Sequence, residues 1–230
     1  MGNVGFRVFK RINRPGKELI GQFRGLPVAN IGDEMNRIAC MHARIKPLNK
    51  APLLGPAFTV RARVGDNLLL HHAIDLAEPG DVIVVEDQGD LANALIGENM
   101  MLWAERRKLG GMIVDGAMRD IEALAQMSFP CFAAGIQPNG PYKDGPGEIN
   151  VPISCGGLTV NPGDILVGDA DGIVVISPKD APEVAKKAQG KLEKEIATRK
   201  AIADGSWDRS AYSEAALRKL GCEFIDDVYR

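Results

Sequence analysis

The chain has 230 residues, 45% of them hydrophobic and 25% charged, enough apolar mass to bury a full core. Its formal charge of −2 and 5% aromatic content offer neither a basic field for a phosphate backbone nor platforms for stacked bases, so nucleic acid is not expected as its ligand. No apolar run approaches the ~20 residues of a membrane span, and the opening MGNVGFRVFKRINRPGKE holds no continuous apolar stretch, so a cytoplasmic protein is expected.

Strand-like and helix-like segments alternate along the chain, which predicts an α/β fold in a single domain over 1–230. GKELIGQFRGL and IGDEMNRI read as an N-terminal helical segment, about residues 1–50. AFTVRARV alternates as a half-buried strand does, and DNLLLHHAIDLA opens a helix with Asp66 as its N-cap. Strand DVIVVE follows the turn EPGD, and DLANALIGENMMLWAERRKLG reads as a helical stretch interrupted at Gly97. GMIVD is a buried strand, a short helix runs from Arg119 to Met127, and FPCFAAG is the next strand. IQPNGPYKDGPGEINVP, rich in proline and glycine and too polar for a core, reads as a shaped loop. NPGDILVGDADGIVVISP echoes the earlier EPGDVIVVEDQGD and closes an α/β core of about residues 51–178. Helices fill about 180–230. The longest runs from Asp180 to about Asp204, with Val184, Ala188, Leu192 and Ile196 at every fourth position and surface pairs such as Glu195 with Arg199. Four cysteines, Cys40, Cys131, Cys155 and Cys222, lie far apart with no C-x-x-C pair. That spacing fits buried thiols better than disulfides or zinc.

The chemistry concentrates at two joints. In IVDGAMRDIEAL, Arg119 and Asp120 stand side by side where a strand gives way to a helix. In GENMM, Gly97 frees the backbone before residues whose early helical N–H groups lack partners and can receive a carboxylate. If strand GMIVD lies beside the start of that helix, Glu98, Arg119 and Asp120 converge at the carboxyl end of the strand, where α/β ligands sit. An oxygen-ligated cation there calls for one or two carboxylates and several waters, which is magnesium or manganese chemistry. Asp115 reads as a turn or cap residue, with a ligand role as the alternative, and His71 and His72 read as core or helix-packing residues.

The spacing of Glu98, Arg119 and Asp120, with GPAFTVRARVGDN, VDGAMRD, YKDGPGEINVPISCGG and NPGDILVGDADGIVVI, resembles the 4-hydroxy-4-methyl-2-oxoglutarate aldolase and ribonuclease E activity regulator family (RraA-like) over roughly residues 20–205. The resemblance implies a swivelling β/β/α-type domain with a long C-terminal helix, assembled as a homotrimer or a dimer of trimers. It also implies a class II pyruvate aldolase, a lyase that needs Mg²⁺, with Mn²⁺ or another divalent metal as substitute. Its substrate would be 4-hydroxy-4-methyl-2-oxoglutarate or a similar 4-carboxy-4-hydroxy-2-oxoacid, with oxaloacetate decarboxylation as a side activity. The alternative it implies is a non-catalytic regulator that binds ribonuclease E or its helicase partners.

Carried over by position, Asp120 would be the metal ligand and Glu98 would order water at the metal. Gly97 and the N–H groups of Asn99 and Met100 would hold the pyruvate carboxylate, Arg119 would face the keto oxygen, and Lys143 would meet a distal carboxylate. An acid on the long helix, Glu195 with Glu193 as the alternative register, would reach a neighbouring subunit's site. The family pattern has aspartate where this chain has Glu98.

Overall fold

The computed structural model describes residues 3–229. Their contacts divide them into two compact units, one ending at Gln189 and one beginning at Gly190. In chain order the first unit contains β1 (Phe6–Val8), α1 (Lys17–Gly21), α2 (Val28–Glu34), β2 (Lys46–Pro47), β3 (Leu53–Ala62), α3 (Leu68–Leu76), β4 (Val82–Ile96), α4 (Glu98–Arg106) and β5 (Gly111–Met118). There follow α5 (Ile121–Leu124), β6 (Cys131–Ile136), β7 (Gly147–Ile149), β8 (Ile153–Cys155), β9 (Leu158–Val160), β10 (Ile165–Asp169) and β11 (Gly172–Ile176).

Strands lie in the order β1-β7-β3-β4-β5-β6-β2. The central four, β3 to β6, run parallel, and parallel strands need cover on both faces. Under one face, Phe58, Val60, Val85, Met112 and Val114 pack with residues of α3, α4 and α5. On the other, Val84, Ile113 and Phe132 pack with the β8–β9 hairpin and the β10–β11 pair. The result is a mixed α/β unit in three layers, with helices, central sheet and outer strands.

Several sequence expectations are corrected here. The helix expected from Asp90 onward starts only at Glu98, because residues 91–96 extend β4 to fifteen residues. After Glu86↔Asp115 the register with β5 shifts repeatedly, with pairs at Asp90↔Gly116, Ala94↔Ala117 and Ile96↔Met118. Short apolar runs such as Ala94–Ile96 suit a buried strand as well as a helix, and here the sheet takes them. Within the polar segment after β6, Gly147–Ile149 forms a buried strand. Its Glu148 can enter the interior because Arg7, Arg61 and the Gly5 N–H all bond to it. The N-cap of α3 is Asn67, and Asp66 bonds the helix from one position earlier, accepting the Leu68 N–H at 2.9 Å. The short helix after β5 covers only Ile121–Leu124. Cys131 and Cys155 are buried as expected, whereas Cys40 and Cys222 are exposed.

The boundary between the units falls within α6 (Ala181–Ala203). Ala181, Val184, Ala185 and Ala188 of this helix are buried, whereas Ile196 is 56% exposed, so the apolar stripe is covered only over its first half. Beyond α6, the Arg209 guanidinium lies over the rings of Trp207 and Tyr212, and α7 (Glu214–Lys219) follows. The chain therefore has a mixed α/β fold with a long C-terminal helix. Among the described residues no helix is long and apolar enough to cross a membrane.

Candidate active site

A cleft of about 180 Å³ opens where β4 and β5 end, the position at which α/β sheets receive ligands. Ile96, Gly97, Asn99 and Met100 line it from the β4–α4 joint, and Arg119 and Asp120 from the β5–α5 joint. Asn67 and His71 face it from the start of α3, and Lys143 from the loop after β6.

The two joints hold each other. Arg119 donates its backbone N–H to Ile96 O at 3.0 Å, which sets the end of β5 against the end of β4. Asp120 takes the left-handed conformation, with φ 62° and ψ 41°, one that aspartate tolerates better than most residues. Its Oδ2 then accepts the backbone N–H of Glu98 at 2.9 Å, the first of α4. Gly97 is required for this approach, since a Cβ there would run into Asp120 Oδ2 and come within 3.1 Å of Arg119 Nε. Arg119 Nε lies 3.9 Å from Asp120 Oδ2, and both side chains are nearly half exposed. A guanidinium at that distance has donors left for a ligand.

The next donors on α4 are open. Glu98 N–H is taken by Asp120 and Met101 N–H by Gly97 O. The N–H groups of Asn99 and Met100 have no acceptor among the described residues. Two adjacent free amides at a helix start favour an anion, because the helix dipole adds to their local charge. The cleft therefore presents a carboxylate, a guanidinium and an amide pair within one small volume.

The loop after β6 is strapped over this cleft. Asp66 Oδ2 accepts the N–H groups of Asp144 and Gly145 at 2.7 and 2.8 Å, and Tyr142 exchanges backbone bonds with Gly65 and Asn67. Asn93 Nδ2 donates to Gly140 O. Lys143 thereby faces His71, whose pKa lies below the ordinary histidine value through burial first and the Lys143 charge second.

Of the residues singled out in the sequence, Gly97, Asn99, Met100, Arg119, Asp120 and Lys143 line the cleft together. Glu98 contributes its backbone N–H at the joint, but its side chain is exposed and does not line the cleft. Glu195 lies on α6 in the second unit, paired with Arg199 at 3.5 Å, as the helical spacing predicted. Asp115 is neither turn nor ligand. It is buried in β5, gripped by Arg44 at 3.0 and 2.6 Å and by the Gly156 N–H at 2.8 Å, which leaves its carboxylate no room for a cation. The expectation of core packing for His71 and His72 is also corrected, since both are exposed and His71 lines the cleft. His71 and Asn67 carried no signal beyond a helix start, because what sets that start against the site is a long-range bond, from Asn67 Nδ2 to Leu95 O at the end of β4.

A divalent cation fits this donor set in one way. Among the described residues no three His, Cys, Asp or Glu side chains gather to hold an ion, and Asp120 Oδ1 makes no hydrogen bond there. A single carboxylate with an open oxygen in a polar cleft suits Mg²⁺, which keeps most of its water.

Comparison with known proteins bears on the family and the fold. The sequence profile of the RraA-like family, described as Aldolase/RraA, matches residues 28–175. A protein of Halalkalibacterium halodurans, named provisionally as a 4-hydroxy-4-methyl-2-oxoglutarate aldolase, is 41% identical over 201 residues, covering 87% of this chain and 96% of its own. The solved structure of an uncharacterised protein from Pseudomonas syringae superposes with a TM-score of 0.76 at 25% identity, covering 84% of this chain and 96% of that one. The RNA-processing inhibitor RraA from Thermus thermophilis superposes with a TM-score of 0.61 at 28% identity, covering 65% and 92%.

Proposed function

Because the chain belongs to the RraA-like family, we propose that it is a divalent-metal-dependent pyruvate aldolase. Its substrate is 4-hydroxy-4-methyl-2-oxoglutarate or a similar 4-carboxy-4-hydroxy-2-oxoacid. The observation that carries this reading is the meeting of Asp120, Arg119 and the unpaired N–H groups of Asn99 and Met100 in one cleft. The amide pair and the start of α4 bind the substrate's C1 carboxylate, which fixes the neighbouring C2 keto group toward Arg119. When the C3–C4 bond breaks, its electron pair moves onto C3 and the keto oxygen to form an enolate, the C4 hydroxyl passes its proton to water as C4 becomes a carbonyl, and a proton returned from water to C3 completes pyruvate. Arg119 donates hydrogen bonds to the oxygen on which that charge develops. Asp120 would hold Mg²⁺ or Mn²⁺, and the bound cation supplies Lewis acidity at the keto oxygen. Glu195, from a neighbouring subunit of a homotrimer or dimer of trimers, would order water at the cation, and Glu98, whose side chain stands outside the cleft lining, would do so only from its rim. Lys143 meets the carboxylate on C4. Oxaloacetate decarboxylation is the expected side reaction, since loss of CO₂ leaves the same enolate.

The test is pyruvate release from a panel of such 2-oxoacids, with Mg²⁺ and with chelator. Chelator-sensitive release supports the aldolase. The likeness to an RNA-processing inhibitor favours a second reading, a regulator that binds ribonuclease E or its helicase partners. A folded, metal-supplied protein that cleaves none of the panel would replace the first reading with the second.

A further inference from the structure

We propose that Asp87 is a positioning residue for this cleft, one that fixes the Gly65–Asn67 turn and through it the loop that carries Lys143. The proposal builds on the reading that Lys143 meets the substrate's second carboxylate.

Asp87 lies in β4, just where the register with β5 breaks, and is fully buried. Its Oδ1 accepts the Gly65 N–H at 2.9 Å, while its buried Oδ2 has no partner among the described residues. An unused carboxyl oxygen in the interior is costly, and β5 makes space for it, since a Cβ on Gly116 would come within 2.6 Å of Oδ2. The single bond to Gly65 is therefore what this carboxyl does for the structure around it.

That bond leads to the cleft in one step. Gly65 has φ +72°, and a Cβ there would come within 3.2 Å of Asn93 Oδ1, so the turn has a tightly defined form. From this turn Gly65 O accepts the Tyr142 N–H at 2.8 Å, and the Asn67 N–H bonds to Tyr142 O at 3.0 Å. Between them, Asp66 takes the N–H groups of Asp144 and Gly145. Three consecutive residues thus clamp both sides of Lys143. Asn67, from the same turn, also binds Leu95 O beside the Gly97 joint. A turn displaced at Gly65 moves Lys143 relative to Arg119 and Asp120 without touching either.

The charged groups facing Asp87 are Asp90 on its own strand and Asp115 on β5, the latter paired with Arg44. Burial first, opposed by the Gly65 bond, then both acids, push the Asp87 carboxyl up to about 7. Above neutral pH the carboxyl becomes a buried charge held by one bond, so the turn opens more readily there than below it.

Amide hydrogen exchange on the intact protein tests this, comparing the parent with Asp87→Asn and Asp87→Leu at pH 6 and 8, corrected for intrinsic rates. Parent protection at Gly65, Tyr142 and Gly145 should fall several-fold from pH 6 to 8. Asp87→Asn, which retains the acceptor without its charge, should abolish that fall. Asp87→Leu should lower protection at these amides about tenfold at both pH values and raise KM for a 4-carboxy substrate with kcat nearly unchanged. An unaltered pH fall in Asp87→Asn overturns the proposal, even if Asp87→Leu does not fold. So does a loss of protection spread evenly over β3, β4 and β5. Should the parent cleave no 2-oxoacid, the aldolase reading fails, and the exchange data still decide the role of Asp87.

Discussion

Asp120 Oδ2 accepts the backbone N–H of Glu98 at 2.9 Å, so the proposed metal ligand also closes the first position of α4. One oxygen is committed to structure and the other is left for chemistry. Asp120→Asn keeps an oxygen for the Glu98 amide and removes the charge. It should lower metal-dependent cleavage by about 10²-fold or more and leave the melting temperature within about 4 °C of the parent. Steady-state kinetics and metal titration check this, and full activity with unchanged metal affinity would remove Asp120 from the role of ligand.

Gly97→Ala tests the same joint from the other side. Its Cβ would collide with Asp120 Oδ2 and crowd Arg119 Nε, so the two joints must separate. Overpacking of this kind costs about 1–3 kcal/mol of stability, and cleavage should fall on the order of 10²-fold through misplacement of the reacting groups. An alanine variant with parental kinetics would show that the close approach is dispensable.

Arg119→Lys keeps the charge and loses the planar fork. With its side chain 43% exposed and only a long contact to Asp120, the loss should fall on the reaction rather than on folding. We expect kcat to drop on the order of 10²-fold. A change confined to KM would make Arg119 a binding residue only.

These effects rest on a joint whose components were legible in the sequence and whose construction was not. Gly97 and the Arg119–Asp120 pair announced themselves as backbone freedom and charge at the ends of apolar runs. The boundary before Gly97 is ambiguous in the sequence because Ala94, Leu95 and Ile96 satisfy helical and strand burial equally, and only pairing with Ala117 and Met118 decides between them. Glu148 made its segment look too polar for a strand, since the arginines that neutralise it, Arg7 and Arg61, are far away in sequence. His71 and Asn67 became cleft residues through the Asn67 bond to Leu95 O, a long-range contact that no local pattern encodes.

The proposed part of Glu195, with Glu193 as its register alternative, predicts complementation between subunits. Glu195→Gln should reduce kcat with the oligomer intact. Mixing it with inactive Asp120→Asn subunits should restore some activity, because a mixed boundary joins an intact ligand to an intact acid. Absence of recovery in mixed oligomers shown by mass to contain both chains would confine Glu195 to its surface pair with Arg199.

Asp87 gives the pH dependence of stability a definite direction. Its carboxyl is pushed up from 3.8 to about 7 by burial in the folded protein, so between those values the native state binds more protons than the unfolded chain. Its contribution is fully present below the unfolded value and is lost as pH rises through the folded one, with a slope of up to about 1.4 kcal/mol per pH unit. Asp87→Asn carries no such titration. Relative to the parent, the variant should therefore gain stability steadily from pH 5 to 7 and no further from 7.5 to 9. Chemical denaturation at half-unit intervals reads this difference directly, and parallel curves for the two proteins across pH 5 to 7 would mean that Asp87 enters the fold already ionised.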